Sequence, residues 1–503
     1  MAVRAEHASL TEWLQASLTP DELEHVGIVS LNQWPFMCAV VGEVALTAHE
    51  MGCEVTVGMW ADDTPLPDPG WTSSRRIAHL LRTRTLDENL ERALLHAGLP
   101  ASSIVRPPRR RWRPTGLPPV PKPATRTAIR QLSYHGSDMG RSILQVHPDT
   151  NTSIRESQPW PKRYVEAAIR SYAWVYDQVR ALIEDRGITT LIVYNGRFTH
   201  DQAAASAAER AGVRVLYYDA GGLETGFDLT FAPTHDWADL QQRMLRMWDL
   251  WPEDEREEIA TAWFVNRQNH QEPGLRVFVE FQERGNLRGL PKARKLVAFF
   301  SSSPDEIAEL DLKWEELHGS QPGALAVLAD EVRAQPDTQL VVRTHPHMRL
   351  KPPDDLTDWR AAVAAAEPTA HFDAGDPLDS YALMRVADIV VTYGSTAGVE
   401  AAFLGKPVLV LGPSAYDLIG CVTRASTPEQ VRAALEAPVA HPADKALPYG
   451  LMMQRRGFNF QHAHEDDGGT FIIGGVRVND ARQAALNVST ELRRRRLSKL
   501  ARG

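Results

Sequence analysis

Cysteine is scarce, with only Cys38, Cys53 and Cys421 in 503 residues and no CxxC pair. A disulfide framework and a zinc ribbon are thereby excluded, and reduced thiols are expected. No apolar run approaches the length that spans a bilayer, and the opening MAVRAEHASLTEWLQ lacks the apolar core of a signal peptide. The expected location is the cytoplasm, with peripheral contact at the inner face of the membrane left open. Positive charge is also lacking overall. A formal net charge of −9 argues against nucleic acid as a partner, because phosphate-backbone binding needs a basic field over a whole face. The loop Ser30 to Trp34, after the first expected strand, carries no GxGxxG, which weakens any dehydrogenase reading.

What is present is an alternation of short apolar runs and amphipathic helical stretches. At 503 residues the chain is too long for one core, so two large domains are expected. HVGIVSL (from His25) and EVTVGMW (from Glu54) flank a helix and open a first βαβ series. That series continues through the long helix Arg163 to Asp185 and the strands Thr190 to Tyr194 and Val213 to Tyr218. A linker is expected near Glu283 to Pro291, after which KLVAFF (from Lys295) begins a second series. The expected units are 1–285, 291–440 and a C-terminal extension with a last helix, 441–503.

Three strand ends of the second series carry polar groups suited to phosphate. KLVAFF runs into Ser301-Ser302-Ser303 and Glu306. QLVVR ends at Arg343 and leads into Thr344-His345-Pro346-His347, where the proline holds His345 in extended geometry. Asp388 to Tyr416, DIVVTYGSTAGVEAAFLGKPVLVLGPSAY, reads as strand, turn, helix and strand. Ser395 and Thr396 are placed to cap the helix, and Glu400 lies one turn in. In the first series, strand ends deliver Asn195 and Arg197, then Asp219 and Glu224, to one sheet edge, and the Gly-flanked Asp138 sits in YHGSDMGR. The Pro/Arg-rich stretch 106–130 is read as a surface excursion without regular helix, its functional alternative being a basic flap that meets an anionic glycan or membrane. QHAHEDDGG (Gln461 to Gly469) is read as a solvated loop, so no metal site is expected.

RTHPH (Arg343 to His347) and TYGSTAGVEAAFLGKPVLVLGPSAYD (Thr392 to Asp417) together resemble the C-terminal domain of bacterial capsule polysaccharide glycosyltransferases, including Kdo transferases. FFSSSPDE and YNGR look like further family segments. The resemblance is strong over about residues 295–420. It implies the GT-B architecture, two Rossmann-like α/β domains facing across a cleft, and transfer of a sugar from a nucleotide donor, CMP-linked donors among the options. It gives His345, Ser395 and Thr396 contact with the donor phosphate, with Ser302, Ser303, Glu306, Arg343 and Glu400 around the nucleotide. Asn195 and Arg197 fall to the acceptor side, and Asp138, Asp219 and Glu224 are the candidate bases. No cofactor or metal beyond the nucleotide sugar is implied, and the partners are that donor, a glycan or small-molecule acceptor and a polysaccharide-assembly machine. Kept open beside this are a sugar-nucleotide 2-epimerase, a CDP-alditol phosphotransferase and a non-catalytic sugar-nucleotide-binding subunit.

Overall fold

The computed structural model describes residues 9–31, 34–60, 73–106, 112, 114–145, 155–271, 282–303, 309, 318–467 and 469–478. Glu306, the last helix expected from Asp480 and part of the Pro/Arg-rich stretch lie outside the described residues.

The first sheet is built from β1 (His25–Ser30), β2 (Glu54–Met59), β3 (Ile104–Val105), β6 (Thr190–Tyr194), β7 (Arg214–Ala220) and β8 (Phe227–Thr230), a hairpin of β4 (Ser133–Tyr134) and β5 (Ser137–Asp138) standing apart from it. Its spatial order is β3-β2-β1-β6-β7-β8, parallel except for β8. The second sheet comprises β9 (Lys295–Phe300), β10 (Thr338–Arg343), β11 (Ala370–Phe372), β12 (Ile389–Thr392), β13 (Val408–Val410) and β14 (Thr423–Arg424), ordered β11-β10-β9-β12-β13-β14 and wholly parallel. Both follow the doubly wound order in which the third strand lies at one edge and the sixth at the other. The unbroken apolar strands explain this, because helices cover both faces and every residue of β1 and β12 is buried. Two Rossmann-like α/β domains facing across a cleft, the GT-B arrangement, are the result. Among the described residues no helix is long and apolar enough to cross a membrane.

The domain boundary differs from the sequence expectation. After β8 the chain passes to the second domain at once. The helices Trp237–Leu250 and Glu253–Gln268 put Met244, Met247, Trp251, Trp263 and Phe264 into the core formed by β9, β12 and β13. Phe264 stacks on Phe403 at 4.3 Å, and Trp263 meets Tyr449 edge-on at 5.3 Å. Each buried aromatic of this kind contributes roughly 2–3 kcal/mol. The composition shift near residue 285 is therefore a surface connection within the second domain, and membership is decided by which core the apolar stripe meets. Residues 438–469, which carry little local pattern, hold the helix Leu447–Arg455, with Pro448 in its first turn where a missing N–H costs nothing.

The chain then returns. Phe458, Ala463, Ile473 and Val478 lie in the first domain's core. Here β15 (Ala463–Glu465), β16 (Phe471–Ile473) and β17 (Val476–Arg477) form an antiparallel sheet, so QHAHEDDGG is partly a strand rather than a solvated loop. This sheet covers the helix Pro35–Glu50, which is apolar nearly all round and needs cover on two sides. Gly42 makes the fit possible, since a Cβ there would lie 2.7 Å from Ile473 Cδ1. Glu43, on the same helix and fully buried, accepts N–H bonds from Gln461 at 2.8 Å, His462 at 2.7 Å and Ala463 at 3.1 Å. Bonds to a charged acceptor are the strong kind. Glu43→Ala strands three amides and is expected to lower stability by about 3 kcal/mol, read from urea denaturation. A loss within ~0.5 kcal/mol would show the carboxylate to be dispensable.

Candidate functional site

In the second sheet β10, β9 and β12 are neighbours, so their C-terminal ends bring together the three polar segments singled out by sequence. Ser301 Oγ accepts the His345 N–H at 2.8 Å. Ser303 Oγ lies 3.4 Å from His347 Nδ1, and the His347 N–H donates to His345 Nδ1 at 3.2 Å. The Ser302 hydroxyl is 2.8 Å from the Tyr393 carbonyl and 3.0 Å from Gln321 Oε1, which also accepts the Ser302 N–H at 2.7 Å. At the third end the Ser395 hydroxyl weakly caps the Ala397 N–H at 3.4 Å, while Thr396 is exposed and makes no side-chain cap. The Tyr416 hydroxyl donates to the Ser395 carbonyl and fixes the turn. Gly398 permits this, because a Cβ there would sit 2.2 Å from that hydroxyl.

Two expected donor contacts are turned elsewhere. Arg343 is buried and gives its guanidinium to the carbonyls of Asp373 and, at 3.2 Å, Asp376, and burial pulls its pKa down to about 10. It ties β10 to the loop after β11 rather than reaching the strand ends, because alternate side chains of a strand point to opposite faces. Glu400, also buried, is ion-paired with Arg267, whose guanidinium lies 4.8 Å from the centre of the Trp263 ring. Its carboxylate fastens the 253–268 helix to the second domain.

Between the domains lies a cavity of about 760 Å³. Asp138, Arg141, Gln145, Asn195 and Arg197 line it from the first domain, and Ser414, Asp417 and Arg424 from the second, with His235 and Asp236 where the chain crosses. Asp138 caps the helix Met139–Leu144 through the Arg141 N–H at 3.1 Å and pairs with the Arg141 side chain at 3.1 Å. Arg197 donates to Gln145 Oε1 and lies 3.4 Å from His235 Nε2. Asn195 adopts φ +47°, a left-handed conformation that asparagine tolerates, and donates its amide to Asp219. Asp219 thus stands behind Asn195 rather than in the cavity wall, and burial raises its carboxyl pKa. Asp417, whose carboxyl is likewise raised by burial, accepts from Gln241 at 3.0 Å and pairs with Arg424 at 3.1 Å.

Glu224 lies in the turn between β7 and β8, which packs against the chain returning from the second domain. It pairs with Arg455 at 2.6 Å, while the amides of Gly222, Leu223 and Glu224 donate to the carbonyls of Arg456, Met453 and Gln454, each at 2.9 Å. Among the described residues no group of three His, Cys, Asp or Glu side chains is set to hold a metal. Gln145, His235, Asp236, Gln241 and Arg424 were not singled out by sequence. None sits in a motif, and only folding brings them to one cavity.

Residues 316–451 match the family described as capsule polysaccharide biosynthesis protein. The resemblance read from the motifs holds over that stretch. Protein FixF of Sinorhizobium fredii (strain NBRC 101917 / NGR234) is 27% identical over 109 residues, 22% of this chain and 25% of FixF, so the match spans about a quarter of that relative's length. Among solved structures, the β-Kdo 2,4-transferase KpsC of Thermosulfurimonas dismutans is similar at 12% identity and TM-score 0.35, covering 53% of this chain and 80% of that one. The spinosyn rhamnosyltransferase SpnG with its aglycone is similar at 15% identity and TM-score 0.29, covering 86% and 97%.

His345 is preceded by a polar relay. Trp359 Nε1 donates to Thr344 Oγ1 at 2.8 Å, and that hydroxyl lies 2.8 Å from His371 Nε2. Burial lowers the His371 pKa below its usual 6.5, against the attraction of Asp373 and Asp376 and with the repulsion of Arg360 and Arg343. The unfolded chain therefore binds the extra proton first, so stability contributed by neutral His371 is present above about pH 6.5 and declines as pH falls below it. Urea midpoints at pH 7.5 and 5.5 are expected to drop more for the wild type than for His371→Gln. Equal drops would remove His371 from the acid response.

Proposed function

We propose that the protein is a glycosyltransferase that moves a sugar from a nucleotide-sugar donor to a glycan or related acceptor in surface-polysaccharide biosynthesis. The observation that carries this reading is the convergence of Ser301–Ser303, Thr344–His347 and the Ser395 turn at adjacent strand ends of the second domain, a domain largely overlapped by the capsule-biosynthesis match. Open α/β sheets bind ligands at that edge. In this reading the nucleotide lies on the second domain and the acceptor enters the interdomain cavity beside Asn195 and Arg197.

The chemistry follows from charge. Breaking the bond between the anomeric carbon and the phosphate leaves negative charge on a phosphate oxygen, which hydroxyls, backbone N–H groups and the His345 imidazole stabilise by donating to it. The reading needs no resident metal for that step. The acceptor hydroxyl loses its proton as its oxygen attacks the anomeric carbon, and a carboxylate across the cleft takes it. Of the three carboxylates expected from sequence, Asp138 suits the role best, since it lines the cavity whereas Asp219 stands behind Asn195 and Glu224 lies in the β7–β8 turn.

A thermal-shift panel with CMP, CDP, UDP and GDP is expected to show one clear stabiliser, because a ligand bound only by the native state raises apparent stability. His345→Ala removes most of that shift and of donor consumption with the melting transition otherwise retained. Asp138→Asn keeps the shift and lowers turnover by about 10²- to 10⁴-fold. Epimerised donor without any acceptor, or transfer of a phosphate-bearing group, would replace the proposal with another activity.

A further inference from the structure

The arginines of the Pro/Arg-rich stretch and its sequel do not all face solvent. Arg126 and Arg130 lie on the short helix Arg126–Arg130, which begins on Thr125 as its cap, although so proline-rich a stretch is expected to hold no helix. Both reach Glu309 of the second domain, Arg126 at 2.7 Å and Arg130 through its Nε at 2.8 Å. Arg126 and Glu309 are each only 4% exposed. Arg130 also holds Glu156 at 2.8 Å. Further on, Arg155 clasps Asp358 at 2.6 Å and Asp354 at 3.2 Å, both on the second-domain helix Pro353–Ala366.

The described ion pairs that cross between the domains fall into two groups. One joins the β7–β8 hairpin to the ends of the second domain, Glu224 with Arg455 and Asp228 with Arg243. The other consists of three first-domain arginines, two on the Arg126–Arg130 helix and Arg155 further along, meeting three second-domain acids. Glu309 itself adopts φ +70°, the left-handed region that is uncommon for glutamate. It also lines the cavity. From the Arg126–Arg130 helix the chain runs on through β4 and β5 into Asp138 and Arg141, which line the facing wall.

We propose that Arg126, Arg130 and Arg155 form a strap that draws the second domain onto the first, and that Arg126 and Arg130 are thereby positioning residues for the transfer reaction. Through Glu309 they set the acceptor wall carrying Asp138 against the donor side. The positioning role rests on the transferase reading, whereas the closure itself does not. The buried Arg126–Glu309 pair supplies the firm part of the strap. Arg155 and its partners are 35%, 58% and 55% exposed, so solvent and salt screen that contact.

Small-angle scattering on the full chain tests closure directly. Glu309→Gln, and separately the pair Arg126→Met with Arg130→Met, are expected to enlarge the radius of gyration and broaden the distance distribution. The triple variant should open no further than either, because the groups act as one unit. Arg155→Ala in low salt is expected to act weakly, and less still at about 1 M salt, where the Debye length is ~3 Å. Circular dichroism verifies folding, and Arg130→Met alone, which leaves Arg126 on Glu309, supplies a milder variant should the pair fail to fold. Turnover should fall about 10²-fold through misplacement of the two walls, while the nucleotide-induced thermal shift of the second domain persists. Unchanged scattering in folded variants overturns the strap. Loss of any nucleotide shift in the wild type instead sinks the transferase reading, and the scattering result still decides closure.

Discussion

The cleft depends on a hydrogen-bonded seam between the β7–β8 turn of the first domain and the chain returning from the second. Gly222 to Gly226, the turn between β7 and β8, lies against Met453 to Phe458 on the way back, amide to carbonyl, and a Cβ on Gly222 would stand 2.5 Å from the Gln454 backbone. Two strands of chain zipped in this way leave little freedom to twist. The C-terminal edges of the two parallel sheets are thereby held toward each other, and the polar groups that parallel strands deliver at those edges share one space. The strand-end cluster and the cavity wall follow from that constraint.

Much of the second domain was legible because its information is local. A buried apolar run followed by Gly394, two hydroxyl residues and a short helix specifies a βαβ turn wherever it occurs, and the His-Pro step fixes His345 by proline's sterics alone. The convergence of the three strand ends was also legible, since the doubly wound order places the first strand between the second and fourth. Arg343 and Glu400 were harder. Each stands in a family-like motif, yet its side chain answers to a distant partner, the carbonyls beyond β11 or Arg267, that no spacing announces.

The same distinction explains the domain boundary. The helices from Trp237 to Gln268 have apolar stripes that sequence reveals, but a stripe does not say which core it meets. The C-terminal strands are clearer still. QHAHEDDGG reads as polar loop because its acids and histidines dominate, and Glu43, more than 400 positions earlier, satisfies the amides of Gln461, His462 and Ala463. Opposite charges brought together by folding likewise hide the meaning of Arg126 and Arg130, which look like solvated cations until Glu309 is beside them.

Because the return of the chain past residue 456 completes the first core, the first domain is not a continuous stretch of sequence, and the second, about Trp237 to Arg455, is inserted into it. A cut near residue 285 would leave one piece with its 35–50 helix stripped of Ile473 and the other without the tryptophans that seal its sheet. Exchange of donor halves between such proteins, by recombination or by design, must therefore move the segment from about Trp237 to Arg455 as a block and preserve the bonds that Met453 and Gln454 at its end accept from the β7–β8 turn.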